Sequence, residues 1–227
     1  MLRIRRIRRS CSKRITEEWP FTNQKLKIVF LPNYRVSLAE KIFPAADVSE
    51  QISTAGFEAS GTSNMKFALN GAVTIGTLDG ANIEIMEEVG AENIFIFGLN
   101  TDEVQEIKSG GGYNPRLYYQ RDPVLKETID LIRNGFFNPE NRELFHSLVD
   151  QLLHQDPYLI LADFESYHQS HMKLSALYTD PVAWTQKAAL NMIRIGKFCS
   201  DRTIFEYNRD IWQAEPLTIM PTQTDEE

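Results

Sequence analysis

The chain has 227 residues, 42% of them hydrophobic, and a formal charge of −7 at pH 7. This is the composition of a globular protein that can bury a sizeable core, and its apolar runs are far too short to cross a bilayer. The only cysteines, Cys11 and Cys199, give neither a disulfide framework nor a metal motif. We expect a cytoplasmic protein without a secretory signal or a membrane partner.

The charge is unevenly distributed along the chain. Seven of the 24 basic residues fall in residues 1–14, which hold no acid, so the remainder carries 17 basic against 31 acidic residues, a formal charge of −14. Such an acidic body repels nucleic acid, so we predict no nucleic-acid partner. We interpret residues 1–23 as a basic leader that is disordered or non-native. A targeting or nucleic-acid-binding arm is the alternative.

Three short apolar runs predict buried strands, and they cover residues 26–32 (LKIVFLP), 71–77 (GAVTIGT) and 93–98 (NIFIFG). The segment ANIEIMEEVG between the last two predicts a helix that ends at Gly90. Residues 36–54 predict a further helix and loop. This alternation indicates an α/β fold with a parallel, doubly wound sheet. Three strands are few for such a sheet, so we expect part of a larger unit.

The chain after about residue 100 predicts mainly helices. Three segments place a proline at the start of an amphipathic stretch, as helices prefer: RDPVLKETIDLIRNG, NPENRELFHSLVDQLL and DPVAWTQKAALNMIRIGKF. The segment SDRTIFEYNRDIW predicts a last helix with Ser200 as its N-cap. Residues 216–227 predict a disordered tail.

The stretch EASGTSNMKFALNG, Glu58 to Gly71, differs from the rest of the chain. Small residues lead into a predicted helix, whose N-terminus offers N–H groups to a phosphate. Gly61 lets a ligand approach the backbone, and Thr62 and Ser63 add hydroxyl groups. If the helix begins near Gly61, Lys66 lies one turn beyond Thr62 on the same face. The stretch therefore predicts a site for a ligand with a phosphate and a second reactive group.

The spacing alone leaves three interpretations open. GFEASGTS nearly matches the nucleotide P-loop pattern, but Thr62 stands where that pattern needs its lysine. Pyridoxal phosphate would place its aldehyde at Lys66, and the apolar neighbours Met65, Phe67 and Leu69 predict the burial that would neutralise the amine. The third interpretation is a solvated lysine at an ordinary strand-to-helix junction.

The wider sequence resembles the α-glucan (glycogen, starch and maltodextrin) phosphorylases. EASGTSNMKFALN is similar to their pyridoxal-phosphate attachment signature, with NYRVSLAEKIFPAADVSEQISTAG before it and GAVTIGTLDGANIEI, NGFFNPE, SALY and GKFCSDRTIFEY after it. The similarity runs from about Lys25 to Trp212 and corresponds to the C-terminal quarter of that family's chain. It implies a Rossmann-like sheet of the two-domain glycosyltransferase B type. Residues 24–215 would be its cofactor-binding domain, incomplete at the N-terminal side.

The resemblance also implies residue roles. Lys66 would carry pyridoxal 5′-phosphate as a Schiff base, and this phosphate would exchange a proton with substrate phosphate. The implied cofactor-binding residues are Lys66, Gly61, Thr62, Ser63, Tyr34 and Arg35. The implied partners of the glucosyl hydroxyls are Glu58, Ala59, Ser60 and Gly61. Asp79 and Gly80, which follow this motif, are interpreted most simply as a turn. A role near the sugar site rests only on their closeness to the motif.

The implied reaction is phosphorolysis of α-1,4-glucan by inorganic phosphate to give glucose 1-phosphate, in a family whose members are homodimers. Its N-terminal domain and its phosphate-binding arginine and lysine precede the region of similarity. We therefore expect the fragment alone to be inactive. The alternatives are a non-catalytic remnant that binds pyridoxal phosphate, an interaction module, and, disfavoured by the context of Lys66, a nucleotide-sugar glycosyltransferase.

The segment HQSH places His168 and His171 three residues apart, a spacing that could hold a metal. Neither cysteine nor a further histidine lies nearby in the sequence, so we interpret the pair as a solvated helix face and predict no metal site.

Overall fold

A computed structural model describes residues 27–215 and 217. The predicted leader, residues 1–23, lies outside the described residues, and so does the predicted tail except for Leu217. The α-helices in this part of the chain are α1 Val36–Ile42, α2 Ser63–Leu69, α3 Asn82–Val89, α4 Thr101–Gly110, α5 Pro115–Arg121, α6 Pro123–Arg133, α7 His146–His154, α8 Ile160–Tyr178, α9 Pro181–Arg194 and α10 Ser200–Tyr207. The strands are β1 Val48–Gln51, β2 Val73–Thr77 and β3 Phe95–Phe97.

The three strands form one parallel sheet in the order β1-β2-β3. Val48 pairs with Val73, and Ile75 pairs with Phe95. The central strand β2 is buried along its whole length, which explains its continuous run of apolar and small residues. The predicted α/β class and the predicted strands at 71–77 and 93–98 are confirmed, as is the helix that ends at Gly90.

The prediction of a strand at residues 26–32 is wrong for the part that the structure describes. Residues 27–31 have no regular secondary structure, and Val29 is exposed. The sheet instead begins with β1, whose sequence VSEQ is too polar to be recognised as a strand. Apolar character alone does not make a strand, because a strand also needs a hydrogen-bonded neighbour. β1 gains that neighbour in β2.

Helices cover both faces of the sheet. On one face Ile75 packs with Leu174 of α8 and Trp184 of α9. A second cluster joins Ala68 of α2 to α3 and to the helical turn that follows α9; its buried members are Ala68, Ile85, Val89, Ile94 and Ile195. Because α2 packs directly on β1 and β2, the position of the motif helix is fixed by the sheet.

The C-terminal half is mostly helical, as predicted, and α6, α7 and α8 share a core of their own. Pro123 and Pro181 begin helices at the predicted places. The third proline-first helix begins later than predicted, with a 3₁₀ turn at Arg142–Phe145 followed by α7. The side chain of Asn138 accepts the N–H of Asn141 and holds the preceding residues in a turn.

The last helix departs from expectation at its start. Ser200 is its first helical residue rather than its N-cap, and Cys199 occupies the cap position without a side-chain hydrogen bond. A π-helical turn, Asn208–Trp212, follows it. Phe205 and Trp212 remain exposed. Among the residues that the structure describes, none of the helices has the length and apolar character that a membrane span requires.

Candidate cofactor and sugar site

The motif lies at the carboxyl edge of the sheet. β1 ends at Gln51 and leads into the loop that precedes α2, and β2 ends at Thr77 and leads into the turn that precedes α3. Because the strands are parallel, both connections leave the same edge, where ligands of α/β proteins bind. The hydroxyl of Thr77 donates to the carbonyl oxygen of Ser53 at 2.6 Å and joins the two connections directly.

A buried carboxylate, that of Asp79, holds the loop before the motif. Its Oδ1 accepts the N–H of Gly56 at 2.9 Å, and its Oδ2 accepts the N–H groups of Phe57 at 3.3 Å and Glu58 at 2.8 Å. The hydroxyl of Ser53 adds a further bond at 3.2 Å. Asp79 is only 5% exposed, so these donors replace the water that its charge has lost.

Two buried asparagines link the motif helix to α3. The side-chain amide of Asn64 donates to Oδ1 of Asn82 at 3.0 Å, and the amide of Asn82 donates to the carbonyl oxygen of Thr77 at 3.0 Å. The N–H of Ala81 also donates to the carbonyl oxygen of Ser60 at 2.7 Å. The start of α2 is therefore tied to the end of β2 through side chains and backbone alike.

Lys66 lies where the sequence places it along the helix. Helix α2 begins after Thr62, and the N–H of Lys66 donates to the carbonyl oxygen of Thr62 at 3.3 Å. Both side chains are exposed, and the Lys66 ammonium lies 5.9 Å from the ring centroid of Phe43. The two residues share one open face, as predicted.

The predicted burial of Lys66 is wrong for this chain. Met65, Phe67 and Leu69 are half-buried, whereas Lys66 is exposed. Adjacent residues on a helix point about 100° apart, so apolar neighbours in sequence do not surround the lysine in space.

Tyr34 and Arg35 lie just before α1. The guanidinium of Arg35 donates to the hydroxyl of Ser37 at 2.9 Å, and Tyr34 is exposed. No hydrogen bond or ion pair within the described range joins either side chain to Lys66 or to residues 58–63. Phe43, just after α1, contacts the motif helix, because its ring packs edge-on against Phe67 at 4.6 Å.

The residues present fit the aldehyde and the phosphate of pyridoxal phosphate. The Thr62 side chain makes no capping hydrogen bond to α2, so its hydroxyl is available to a ligand. Gly61 adopts φ +80°, a conformation that a residue with a side chain rarely accepts. Lys66 forms no ion pair within the described part of the chain, which leaves its amine accessible.

A second buried aspartate lies at the end of β3. The carboxylate of Asp163 in α8 accepts the N–H of Leu99 at 2.8 Å, and the hydroxyl of Ser166 accepts the N–H of Gly98 at 3.0 Å. Burial raises the pKa of the Asp163 carboxyl above its usual range, and this outweighs the lowering by the Leu99 hydrogen bond. All three strand ends are thus held by polar side chains.

The two histidines of the HQSH segment, which the sequence assigns to a solvated helix face, have different neighbours. His168 stacks on Phe164, whereas a nitrogen of His171 lies 3.7 Å from the carboxylate of Glu50. Within the described residues, no group of three or more possible ligands is arranged to hold a metal ion.

The sequence offers for Asp79 a turn, or a role near the sugar site that rests only on closeness to the motif, and the structure adds its hydrogen bonds to the motif loop. An aspartate followed by glycine directly after a buried strand is a weak signal for such a role. The carboxyl edge of a parallel sheet gives that signal its meaning.

Comparison with known proteins identifies the class. The family model for carbohydrate phosphorylases matches residues 4–214, and the chain belongs to this family. It is 54% identical over 200 residues to the brain form of human glycogen phosphorylase. This alignment covers 88% of this chain and 24% of that protein. It is also 54% identical over 200 residues to the glycogen phosphorylase of Synechocystis, with 88% of this chain and 23% of that protein covered.

A bovine muscle form of glycogen phosphorylase is 52% identical over 197 residues, which is 87% of this chain and 23% of the relative. The chain therefore spans about a quarter of the length of these relatives, as the sequence motifs indicated. The family match begins at residue 4. It reaches further towards the N-terminus than the resemblance described above, which runs from about Lys25.

Proposed function

We propose that this chain binds pyridoxal 5′-phosphate through Lys66 and forms the cofactor- and glucosyl-binding part of a glucan phosphorylase. That enzyme cleaves α-1,4-glucan with inorganic phosphate to give glucose 1-phosphate. The observation that carries the proposal is the placement of Lys66 and Thr62 on one open face of α2, next to a fixed loop that carries Glu58. The family's two-domain glycosyltransferase B architecture is part of the same proposal.

Different groups of this chain would bind the two ends of the cofactor. The Lys66 amine would hold the aldehyde end, and Gly61, Thr62 and Ser63 would donate hydrogen bonds to the phosphate. When bound, pyridoxal phosphate supplies a phosphate group that exchanges a proton with the substrate phosphate. Arg35, whose segment is linked to α2 through the ring contact of Phe43 with Phe67, would add positive charge near two anions. Tyr34 would lie beside the cofactor.

The loop from Glu58 to Gly61 would bind the transferred glucose. A carboxylate accepts hydrogen bonds from sugar hydroxyls, and backbone amides donate to them. Glu58 is exposed, and its carboxylate makes neither a hydrogen bond nor an ion pair within the described residues. Asp79 holds the loop backbone at Glu58, and the N–H of Ala81 holds it at Ser60, so the loop from Glu58 to Gly61 can meet a ligand without first becoming ordered.

We further propose that these residues alone do not catalyse phosphorolysis. The cationic side chains that bind substrate phosphate in the family precede the region of similarity, and one wall of the cleft precedes it too. A chain that spans about a quarter of its relatives could instead be a cofactor-binding remnant or an interaction module. Glucose 1-phosphate formation by the pure chain from glucan and phosphate would show that it is active.

Reductive labelling tests the cofactor site. The chain would be incubated with a low concentration of pyridoxal phosphate, reduced with borohydride and mapped by peptide mass spectrometry. We expect the label at Lys66 and its loss in Lys66→Ala. Lys126 gives a matched control, because it is also exposed and is the fourth residue of its helix, but it lies 2.5 Å from Asp130.

Comparing the two lysine variants distinguishes a specific cofactor site from non-specific modification of an exposed lysine. Lys126→Ala should leave the label at Lys66 unchanged. Equal labelling of Lys66 and other exposed lysines, or none at Lys66, would contradict the proposed cofactor site.

A further inference from the structure

We propose that Asp79 is a positioning residue which, together with Gly80, forms a seat that sets the orientation of Glu58 towards the glucosyl ligand. This role rests on the proposed function, because it assigns Glu58 to the sugar. The seat is defined as Asp79 and Gly80, at the start of the turn between β2 and α3. Neither residue belongs to the motif that implied the site.

The hydrogen bonds of Asp79 reach across the fold rather than around a turn. An aspartate that only closes a turn bonds to the backbone one to three residues away. Asp79 instead accepts N–H groups from residues 23, 22 and 21 positions earlier in the sequence, those of Gly56, Phe57 and Glu58. Three consecutive peptide groups on one carboxylate fix the path of the loop up to the backbone nitrogen of Glu58.

Gly80 fixes the next part of the same residue. A Cβ atom at position 80 would lie 3.2 Å from Cγ of Glu58, and 2.5 Å from the carbonyl oxygen of Ser60. The stem of the Glu58 side chain therefore lies over the bare Cα of Gly80. Asp79 holds the backbone of Glu58 and Gly80 supports its side chain, while the carboxylate remains exposed. Such a held but unpaired carboxylate is arranged for a ligand.

Asp79→Asn tests the seat with little change in volume. An amide offers one acceptor oxygen where the carboxylate offers two, so at least one loop N–H loses its partner. We expect hydrogen exchange at the amides of residues 56–58 to accelerate about tenfold or more, because a charged hydrogen bond is worth at least that factor. Asp122→Asn is the control, since Asp122 also accepts two backbone N–H groups, from Val124 and Leu125, but in the helical half.

A ligand readout separates positioning from general stability. Glucose would be titrated into the full chain, and the shift of the Glu58 amide resonance followed by NMR. We expect Asp79→Asn to weaken glucose binding about tenfold by the same reasoning, with labelling of Lys66 by pyridoxal phosphate unchanged. Asp122→Asn should change neither. Loss of glucose binding and Lys66 labelling together would show a merely structural role and overturn the proposal.

Unchanged exchange at residues 56–58 in Asp79→Asn would also overturn the proposal, whatever the ligand does. So would faster exchange with glucose binding intact. If the wild-type chain binds no glucose, the sugar role of Glu58 fails, and with it the proposed function of this loop. Accelerated hydrogen exchange in Asp79→Asn that is confined to residues 53–60 would then still support Asp79 as the residue that holds the loop. Failure of the sugar role and failure of the Asp79 role are therefore distinguishable.

Discussion

Gly80 lies directly against the carbonyl oxygen of Ser60, so that a Cβ atom at position 80 would approach this oxygen to 2.5 Å. The N–H of Ala81 donates to the same oxygen at 2.7 Å. The turn after β2 and the loop before α2 are thus packed backbone against backbone. Only a residue without a side chain allows this contact, and its φ of +50° lies in the left-handed region that favours glycine.

Gly80→Ala should therefore lower the free energy of unfolding by about 2–3 kcal/mol, from a left-handed conformation and a backbone clash together. Gly111→Ala provides the control, because Gly111 has φ +64° but no atom within 4 Å of an added Cβ. It should cost only about 1 kcal/mol. Urea unfolding of both variants measures the difference. Equal losses would mean that the loop moves aside freely and that the contact with Ser60 is not rigid.

Replacing a threonine of β2 by valine should have opposite effects on the free energy of unfolding at positions 74 and 77. Among the described residues, Thr74 Oγ1 is the one buried side-chain polar atom without a hydrogen-bond partner, whereas Thr77 Oγ1 donates to Ser53 at 2.6 Å. Thr74→Val should raise the free energy of unfolding by about 1 kcal/mol, and Thr77→Val should lower it by about 1–2 kcal/mol. Urea unfolding measures both variants. An equal loss of unfolding free energy in the two would show that the Thr74 hydroxyl forms a hydrogen bond in solution.

Asp163 should make stability depend on pH in an unusual direction. Burial raises the pKa of its carboxyl above the ordinary value of 3.8, so the folded state binds this proton more tightly than the unfolded state does. Its contribution to stability therefore falls as the pH rises from below 3.8 through the raised pKa. Asp163→Asn keeps an acceptor for the N–H of Leu99 and should remove this fall.

Asp130→Asn is the control of opposite sign. The hydrogen bond from Lys126, followed by that from Tyr119, lowers the pKa of Asp130, so its contribution is present at neutral pH and is lost as the pH falls through the lowered pKa. Unfolding curves between about pH 3 and pH 7 measure both variants, since carboxyl groups titrate in this range. If Asp163→Asn leaves the pH profile of stability unchanged, burial does not control this carboxyl.

The sequence predicted those parts of the fold in which local pattern and tertiary environment agree. The continuous apolar run of β2 is buried on both faces, and Pro123 begins a helix capped by Asp122. The polar strand β1 was not recognisable, because its pairing with β2 depends on a neighbour distant in sequence. The strand prediction at residues 26–32 was wrong because an apolar pattern alone does not show whether a neighbouring strand is available to pair with it.

Some features of the candidate site were likewise predictable from the sequence, and others were not. The one-turn spacing of Thr62 and Lys66 follows from helix geometry and is present in the structure. The hydrogen bonds that Asp79 accepts from residues 56–58 depend on contacts between separate loops. Such contacts leave no periodic signal in the sequence, so only the structure reveals them.

The most direct test of the proposed site compares pyridoxal 5′-phosphate with pyridoxal, which lacks the phosphate. Pyridoxal closes largely to an internal hemiacetal through its free 5′-hydroxyl, so the labelling of Lys66 by each compound is divided by the labelling of the exposed Lys126 by the same compound. We expect this ratio to be at least about tenfold higher with pyridoxal phosphate, since several hydrogen bonds to a charged phosphate favour it. Thr62→Val combined with Ser63→Ala should reduce the ratio for pyridoxal phosphate towards that for pyridoxal. Equal ratios for the two compounds in the wild-type chain would contradict a phosphate site at Gly61, Thr62 and Ser63.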